Sequence, residues 1–251
     1  MMELMKKLFF ILLLCLGVTA QAQQGTGKKV LFIGDSITDG GWGNDSSGLP
    51  SDQRNHTDWN HLLGSGYMYL CAAHYMGEEP EKEYQFYNRG IGGHTLQNVI
   101  DRWQQDCLDL QPDVISLMVG TNDIHYWLDN PDQPFDFADW DARYRALLDR
   151  TIKALPGTKI IVCTPFVGKA GWAGEAENFP LRQESVRHLA ALVKQIAADY
   201  NLTLMPFDEL FEDLLRQYPS QPVSHWCWDG IHPTPATHQR MADLWILRSG
   251  L

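Results

Sequence analysis

Lys29-Val30-Leu31-Phe32-Ile33-Gly34-Asp35-Ser36-Ile37-Thr38 is the stretch that decides the fold of this 251-residue chain. Val30 to Ile33 is a continuous apolar run with a β-branched residue at each end, and Gly34 stops it. A run this short, bounded by glycine and apolar toward both of its faces, predicts a buried strand of a parallel sheet. Asp35 and Ser36 follow at once. In an open α/β sheet ligands bind beyond the carboxyl ends of the strands, so Ser36 is a candidate nucleophile. Taken alone, a serine at that point is more often only a helix N-cap.

Outward from this stretch, strands and helices alternate. Tyr67–Met76 has helical spacing. Tyr84–Tyr87 is a short aromatic strand that leads to Asn88 and a glycine-rich turn. Leu96–Leu110 is an amphipathic helix ended by Pro112, and Asp113–Val119 is a strongly apolar third strand running into Gly120. Trp127–Phe137 is polar and holds two prolines, which predicts a loop. Phe137–Ala154 is a helix, Lys159–Thr164 a fourth strand, and Phe166–Pro180 a glycine-rich loop. Leu181–Tyr200 is a long helix, Leu202–Met205 a fifth strand and Asp208–Tyr218 a short helix. Thr234 is placed to cap the last helix, with Pro235 at its first position. This alternation predicts an α/β fold, a parallel sheet covered on both faces.

The first 22 residues read as a removable secretory signal. Lys6 and Lys7 precede an apolar run from Leu8 to Val18, and Ala20-Gln21-Ala22 is an A-x-A cleavage site. Residues 23–251 are then one domain, exported to the periplasm or beyond. Without Lys6, Lys7 and Glu3, the totals of 20 basic and 31 acidic residues become 18 and 30. That acidic excess argues against nucleic acid and against anionic membrane surfaces, and it suits a neutral substrate. Cys15 follows Leu14, a poor context for a lipid anchor, so no membrane anchor is expected. Cys71, Cys107, Cys163 and Cys227 are widely spaced and show no C-x-x-C pattern. Export permits disulfides, no pairing stands out, and Cys163 within a central strand is expected to be a buried free thiol. Neither H-E-x-x-H nor a regular His/Asp spacing is present, so no metal and no cofactor is expected.

Four blocks give the chain its chemistry. Gly34-Asp35-Ser36 is the first, Asn88-Arg89-Gly90-Ile91-Gly92-Gly93 the second, Gly120-Thr121-Asn122-Asp123 the third and Asp229-Gly230-Ile231-His232-Pro233 the fourth. Together, and in this order, they resemble the SGNH hydrolases, also called the GDSL esterase family. The resemblance spans roughly residues 29 to 240. It implies a three-layer α/β/α sandwich around a flavodoxin-like five-stranded parallel sheet of order 2-1-3-4-5, which periodicity alone does not fix. It further implies a serine esterase. Ser36 would be the nucleophile, His232 the base and Asp229 the residue that orients His232. The backbone N–H groups of Ser36 and Gly93 and the side-chain amide of Asn122 would form an oxyanion hole. Gly92 stands where this block often has serine.

The residue types suit that chemistry. A serine hydroxyl needs a base to take its proton, and an imidazole held by a carboxylate supplies one. Three-residue spacing lets Asp229 and His232 face the same way on one turn. Glycine at 93 admits positive φ and close backbone approach. Trp42, in the long polar loop after Ser36, either floors a substrate pocket or pins that loop. Trp226 and Trp228, flanking Cys227, either stack on a sugar ring or pack the loop that carries Asp229. Export, acidity and loop tryptophans favour short acyl esters, above all O-acetyl groups on carbohydrate, so the expected partner is a glycan or small-molecule ester. The rivals are a lipid acylhydrolase of the lysophospholipase or thioesterase kind, which needs an apolar groove, and a carbohydrate-binding protein without catalysis. The absence of a G-x-S-x-G elbow disfavours an α/β-hydrolase.

Overall fold

The computed structural model describes residues 27–41, 63–129, 131 and 133–251. The expected signal segment and Trp42 lie outside the described residues. Five strands form one parallel sheet: β1 (Lys29–Gly34), β2 (Gln85–Gly90), β3 (Val114–Met118), β4 (Lys159–Cys163) and β5 (Thr203–Met205). Their order is β2-β1-β3-β4-β5, the order that the resemblance implies. Among the described residues nine α-helices join them: α1 (Ser36–Asp39), α2 (Tyr67–Glu78), α3 (Leu96–Trp103), α4 (Thr121–Leu128), α5 (Phe137–Ala154), α6 (Gly171–Glu175), α7 (Phe179–Asp199), α8 (Phe207–Gln217) and α9 (Pro235–Ser249).

The uninterrupted apolar strands have a plain cause. Alternate side chains of a strand point to opposite faces, and both faces here are covered. Leu31 and Ile33 face one core with Val99 and Trp103 of α3, Trp140 of α5 and Leu189 of α7. Val30 and Phe32 face the other, with Tyr67 and Cys71 of α2, Phe207 of α8 and Trp245 of α9. Burying a large apolar side chain contributes roughly 2 kcal/mol, and three tryptophans are fully buried. The indole N–H of each of these three finds an acceptor, the usual arrangement for a buried indole. Trp103 Nε1 donates to Thr151 Oγ1 at 2.9 Å, Trp140 Nε1 to Asp123 Oδ1 at 3.0 Å and Trp245 Nε1 to Ser116 Oγ at 3.0 Å.

The register aligns the carboxyl ends of the strands. Gly34 pairs with both Gly90 and Met118, Met118 with Cys163, and Cys163 with Met205. The residues that follow β2, β1 and β3 therefore leave the sheet side by side. Gly34 must be glycine here, because a Cβ would fall 2.1 Å from the Met118 carbonyl oxygen.

Four local expectations need correction. The loop expected from Trp127 starts later, because the chain is helical from Thr121 to Leu128, with Ile124 and Leu128, four residues apart on one face, buried in the first core. The glycine-rich loop after β4 contains α6, and α7 begins at Phe179. The helix from Leu96 widens into a π-turn at Gln104–Leu108. Thr234 occupies the N-cap of α9, yet its hydroxyl donates to the His225 carbonyl at 2.7 Å and does not cap. The four cysteines are buried free thiols, as expected for Cys163, and burial pushes Cys107, Cys163 and Cys227 up to about 12.

Candidate active site

At the end of β1 the chain turns into α1. Asp35 is the N-cap residue: its backbone is extended, and its Oδ1 accepts the Ile37 N–H at 3.0 Å. The capping duty that Ser36 might have had thus falls to Asp35. Ser36 is the first helical residue, so its own N–H has no acceptor within the turn. The Ser36 Oγ lies 2.7 Å from His232 Nε2.

His232 comes from the other end of the chain. The segment that carries it is pinched by bonds from Trp228 N to His232 O (3.1 Å) and from Thr234 N to Trp226 O (2.9 Å). Asp229 closes the turn between them. Its Oδ1 accepts the N–H groups of Ile231 (2.9 Å) and His232 (2.7 Å), and its Oδ2 lies 2.7 Å from His232 Nδ1. A carboxylate only accepts, so Nδ1 carries the hydrogen and the neutral ring offers Nε2 to Ser36. Burial alone would raise the Asp229 carboxyl. The bonds from the His232 side chain and from the two backbone N–H groups outweigh it and pull the carboxyl down to about 2. For His232, burial lowers the pKa, but the bond and charge of Asp229, helped by the charge of Asp35, leave it above its ordinary 6.5. Gly230, with φ +93°, has no room for a Cβ, which would sit 2.6 Å from the Ala170 carbonyl oxygen. The loop after β4 supports the turn from below through Gly168 N to Gly230 O (2.9 Å).

Gly93 is the third residue of a β-turn closed by His94 N to Ile91 O at 3.2 Å. Its φ of +78° is what a type II turn asks of that position. Asn122, in the first turn of α4, donates Nδ2–H to the His94 carbonyl at 3.2 Å. That bond ties the turn after β2 to the helix after β3 and leaves the second amide hydrogen of Asn122 unspent. Ser36, Gly93, Asn122, Asp229 and His232 thus meet at one sheet end.

Further residues support these. Asn88, at the start of the second block, donates to the carbonyls of Thr38, Asp39 and Leu63 and accepts the Gly90 N–H. Arg102 donates to the carbonyls of Gly34 (3.0 Å) and Arg89 (2.7 Å) and pairs with Asp106 (2.7 Å). It knots the ends of β1 and β2 together. Asp123 accepts from Leu96 N and Trp140 Nε1 and anchors the third block to α3 and α5; burial, set against those bonds, raises its carboxyl to about 6. Burial likewise lifts Asp35 to about 7, against the opposing bond from Ile37 and the charge of His232. Position within the second block hinted at Asn88. An arginine in mid-helix gave no such sign.

The tryptophans part company. Trp228 is 60% exposed and stacks on the His232 ring, with centroids 5.9 Å apart. Trp226 is 5% exposed and packs against Tyr218 and His225. Of the two roles expected for it, Trp226 thus has the burial and ring contacts of a packing residue, which leave little of it for a substrate.

The model of the GDSL-like Lipase/Acylhydrolase family matches residues 32–240. The chain belongs to this family. It is a serine hydrolase acting on ester bonds. The chain is 30% identical over 230 residues to an acetylxylan esterase of Geobacillus stearothermophilus, covering 90% of this chain and 95% of that one. A solved structure of an acetylxylan esterase from Geobacillus stearothermophilus superposes with a TM-score of 0.72 at 28% identity, covering 91% of this chain and 96% of the other. A putative GDSL-like lipase from Parabacteroides merdae gives a TM-score of 0.74 at 29% identity, covering 89% and 95%. For the Geobacillus enzyme, catalytic mutants at a serine, an aspartate and a histidine have been crystallised, the last two three positions apart.

Proposed function

We propose that this protein is an exported carbohydrate esterase that removes O-acetyl groups by way of an acyl-enzyme. The observation that carries the mechanism is the unbroken chain Asp229–His232–Ser36, with both links at 2.7 Å. In this reading His232 Nε2 takes the hydroxyl proton as Ser36 Oγ attacks the ester carbonyl. Asp229, ionised throughout, stabilises the imidazolium that results. The oxyanion is received by the N–H groups of Ser36 and Gly93 and by the free hydrogen of Asn122 Nδ2, each worth roughly 3 kcal/mol of barrier. His232 then protonates the departing sugar oxygen, which leaves as the free hydroxyl, and water repeats the sequence on the acyl-enzyme.

The preference for acetylated carbohydrate is supported by the acetylxylan esterase relative at 30% identity and by the exposed aromatic ring of Trp228 beside the base. Export is supported by the n-region, h-region and A-x-A pattern of residues 1–22. The test is an acyl-chain-length series on chromogenic esters, followed by acetate release from a panel of acetylated glycans. Acetate should be the preferred acyl group, and acetylated xylan or a related glycan should be deacetylated. Preference for long acyl chains would favour a lipid acylhydrolase. Ser36→Ala should abolish turnover with an unchanged circular dichroism spectrum; retained activity would defeat the acyl-enzyme.

A further inference from the structure

A second aromatic surface adjoins the site. Trp172 lies on α6 and is 49% exposed. It follows Gly171, where an added Cβ would come 2.6 Å from Asp229 Cα and 2.9 Å from the Trp228 carbonyl oxygen. The start of α6 is thus pressed against the segment that carries Asp229. On its other side Trp172 meets His125, with ring centroids 5.3 Å apart. His125 lies three residues after Asn122 on α4, one turn along the same face. Tyr126, the next residue, is 51% exposed, and its hydroxyl would stand 2.8 Å from a Cβ at Gly93. Trp172 is therefore anchored through Gly171 beside the Asp229 segment, and its ring meets His125 on the Asn122 side.

What holds this ring is unusual. Arg182 of α7 is 3% exposed, and its Nε has no hydrogen-bond partner. Its guanidinium lies 5.7 Å from the Trp172 ring centroid, and Nη1 is 3.3 Å from His125 Nδ1. A guanidinium only donates, so His125 Nδ1 is the acceptor and the one N–H of the ring sits on Nε2. Burial, together with the Arg182 charge, keeps that imidazole below its ordinary pKa. Burying a cation without full hydrogen bonding is unfavourable. That outlay is out of proportion for a solvent-facing loop, and it makes sense if the Trp172 ring must be rigid. A ring fixed beforehand loses little entropy when a ligand stacks on it.

We propose that Trp172 is a stacking platform for a sugar ring neighbouring the acetylated one, and that Arg182, acting through Trp172 and His125, is the residue that positions it. The ligand class is a neutral pyranose of an oligosaccharide. Its apolar face lies on the indole, and a hydroxyl is within the capability of the His125 Nε2–H. This deepens the carbohydrate reading above and rests on it.

The test compares kcat/KM for an acetylated xylotetraose with kcat/KM for 4-nitrophenyl acetate, which has no second ring to stack. Trp172→Ala should lower the ratio of the two roughly ten-fold, the size expected for one lost stacking contact, and the change should appear in KM for the oligosaccharide. Trp172→Phe should recover most of it. Arg182→Met should lower the same ratio less, again through KM. Trp172 is at the surface, so its variants decide the matter even if Arg182→Met does not fold. In Ser36→Ala protein titrated with xylotetraose, the indole N–H signal of Trp172 should shift. An unchanged ratio in Trp172→Ala overturns the platform alone. Wild-type protein that releases no acetate from any oligosaccharide overturns the carbohydrate reading, and the platform with it.

Discussion

His232 Nε2 lies 2.7 Å from Ser36 Oγ across 196 residues of chain, and Asp229 meets the other nitrogen of the same ring at the same distance. His232 must be neutral to accept a proton, so activity should fall as pH drops through its raised pKa, above 6.5. Removing the carboxylate charge in Asp229→Asn should move that midpoint down and lower the plateau, because the Nδ1–H tautomer is no longer enforced. The measurement is kcat/KM against pH for both proteins. Identical midpoints and plateaus would reduce Asp229 to a turn residue.

Asp35 offers a second pH test of opposite kind. Its carboxyl is buried beneath the site, and its charge raises His232. Asp35→Asn keeps an oxygen to accept the Ile37 N–H, so the cap should survive. The acid limb of kcat/KM should shift down. Because the folded pKa of Asp35, about 7, lies above its ordinary 3.8, wild-type protein loses stability as pH rises from 3.8 to about 7, and the loss is complete above that. The variant should therefore be the more stable of the two at pH 8 in urea unfolding. Equal stabilities there would mean that the carboxyl is not forced to ionise in the buried site.

Asn122→Ala should lower kcat by roughly 10²–10³ with a smaller change in KM, since the bond it donates is strongest in the transition state. An effect confined to KM would make Asn122 a substrate-binding group. The variant also loses the tie to the His94 carbonyl, so circular dichroism should accompany the kinetics.

Gly93→Ala should impair turnover by two separable routes. Its φ of +78° costs an L-residue about 1–2 kcal/mol, and the new methyl would meet the Tyr126 hydroxyl at 2.8 Å. Adding Tyr126→Phe removes the second route only. The double variant should recover part of the lost kcat/KM. Full recovery would show that backbone strain is absent.

His238 should contribute to acid lability. Gly66 leaves α2 without a side-chain cap, and His238 Nδ1 accepts the Tyr67 N–H at 3.1 Å. Burial, with some help from the His232 charge, holds His238 down to about 4. The unfolded chain takes up this proton near 6.5 and the folded one only near 4, so the contribution is full above 6.5 and is lost as pH falls to 4. His238→Asn, which keeps an acceptor, should flatten this loss by up to about 3 kcal/mol. Unfolding free energies at pH 7 and 4.5 measure it. Equal losses in the two proteins would assign the acid sensitivity elsewhere.

The order of chemistry-bearing blocks and the nature of the strands were legible in the sequence, because both depend on local pattern. A run such as Val30–Ile33 has nowhere to put apolar side chains on both faces except inside a covered parallel sheet. Helix α5 runs from Phe137 to Ala154, as its spacing predicts. Helix α4 was not legible. Its first turn reads as loop chemistry, and only burial of Ile124 and Leu128 against the sheet makes it helical. Trp226 and Trp228, two residues apart and alike in sequence, were told apart only in space. Tyr218 and His225 cover the first, while the second lies open above His232. Arg182 and Trp172 became neighbours through the packing of α7 and α6, ten residues apart in a pattern without period. What a residue is and what its near neighbours in the chain are were enough to carry the family resemblance, and with it the proposed nucleophile, base and oxyanion donors. Which face of each side chain is left to solvent depends on contacts made across tens to hundreds of residues, and the fold alone decides it.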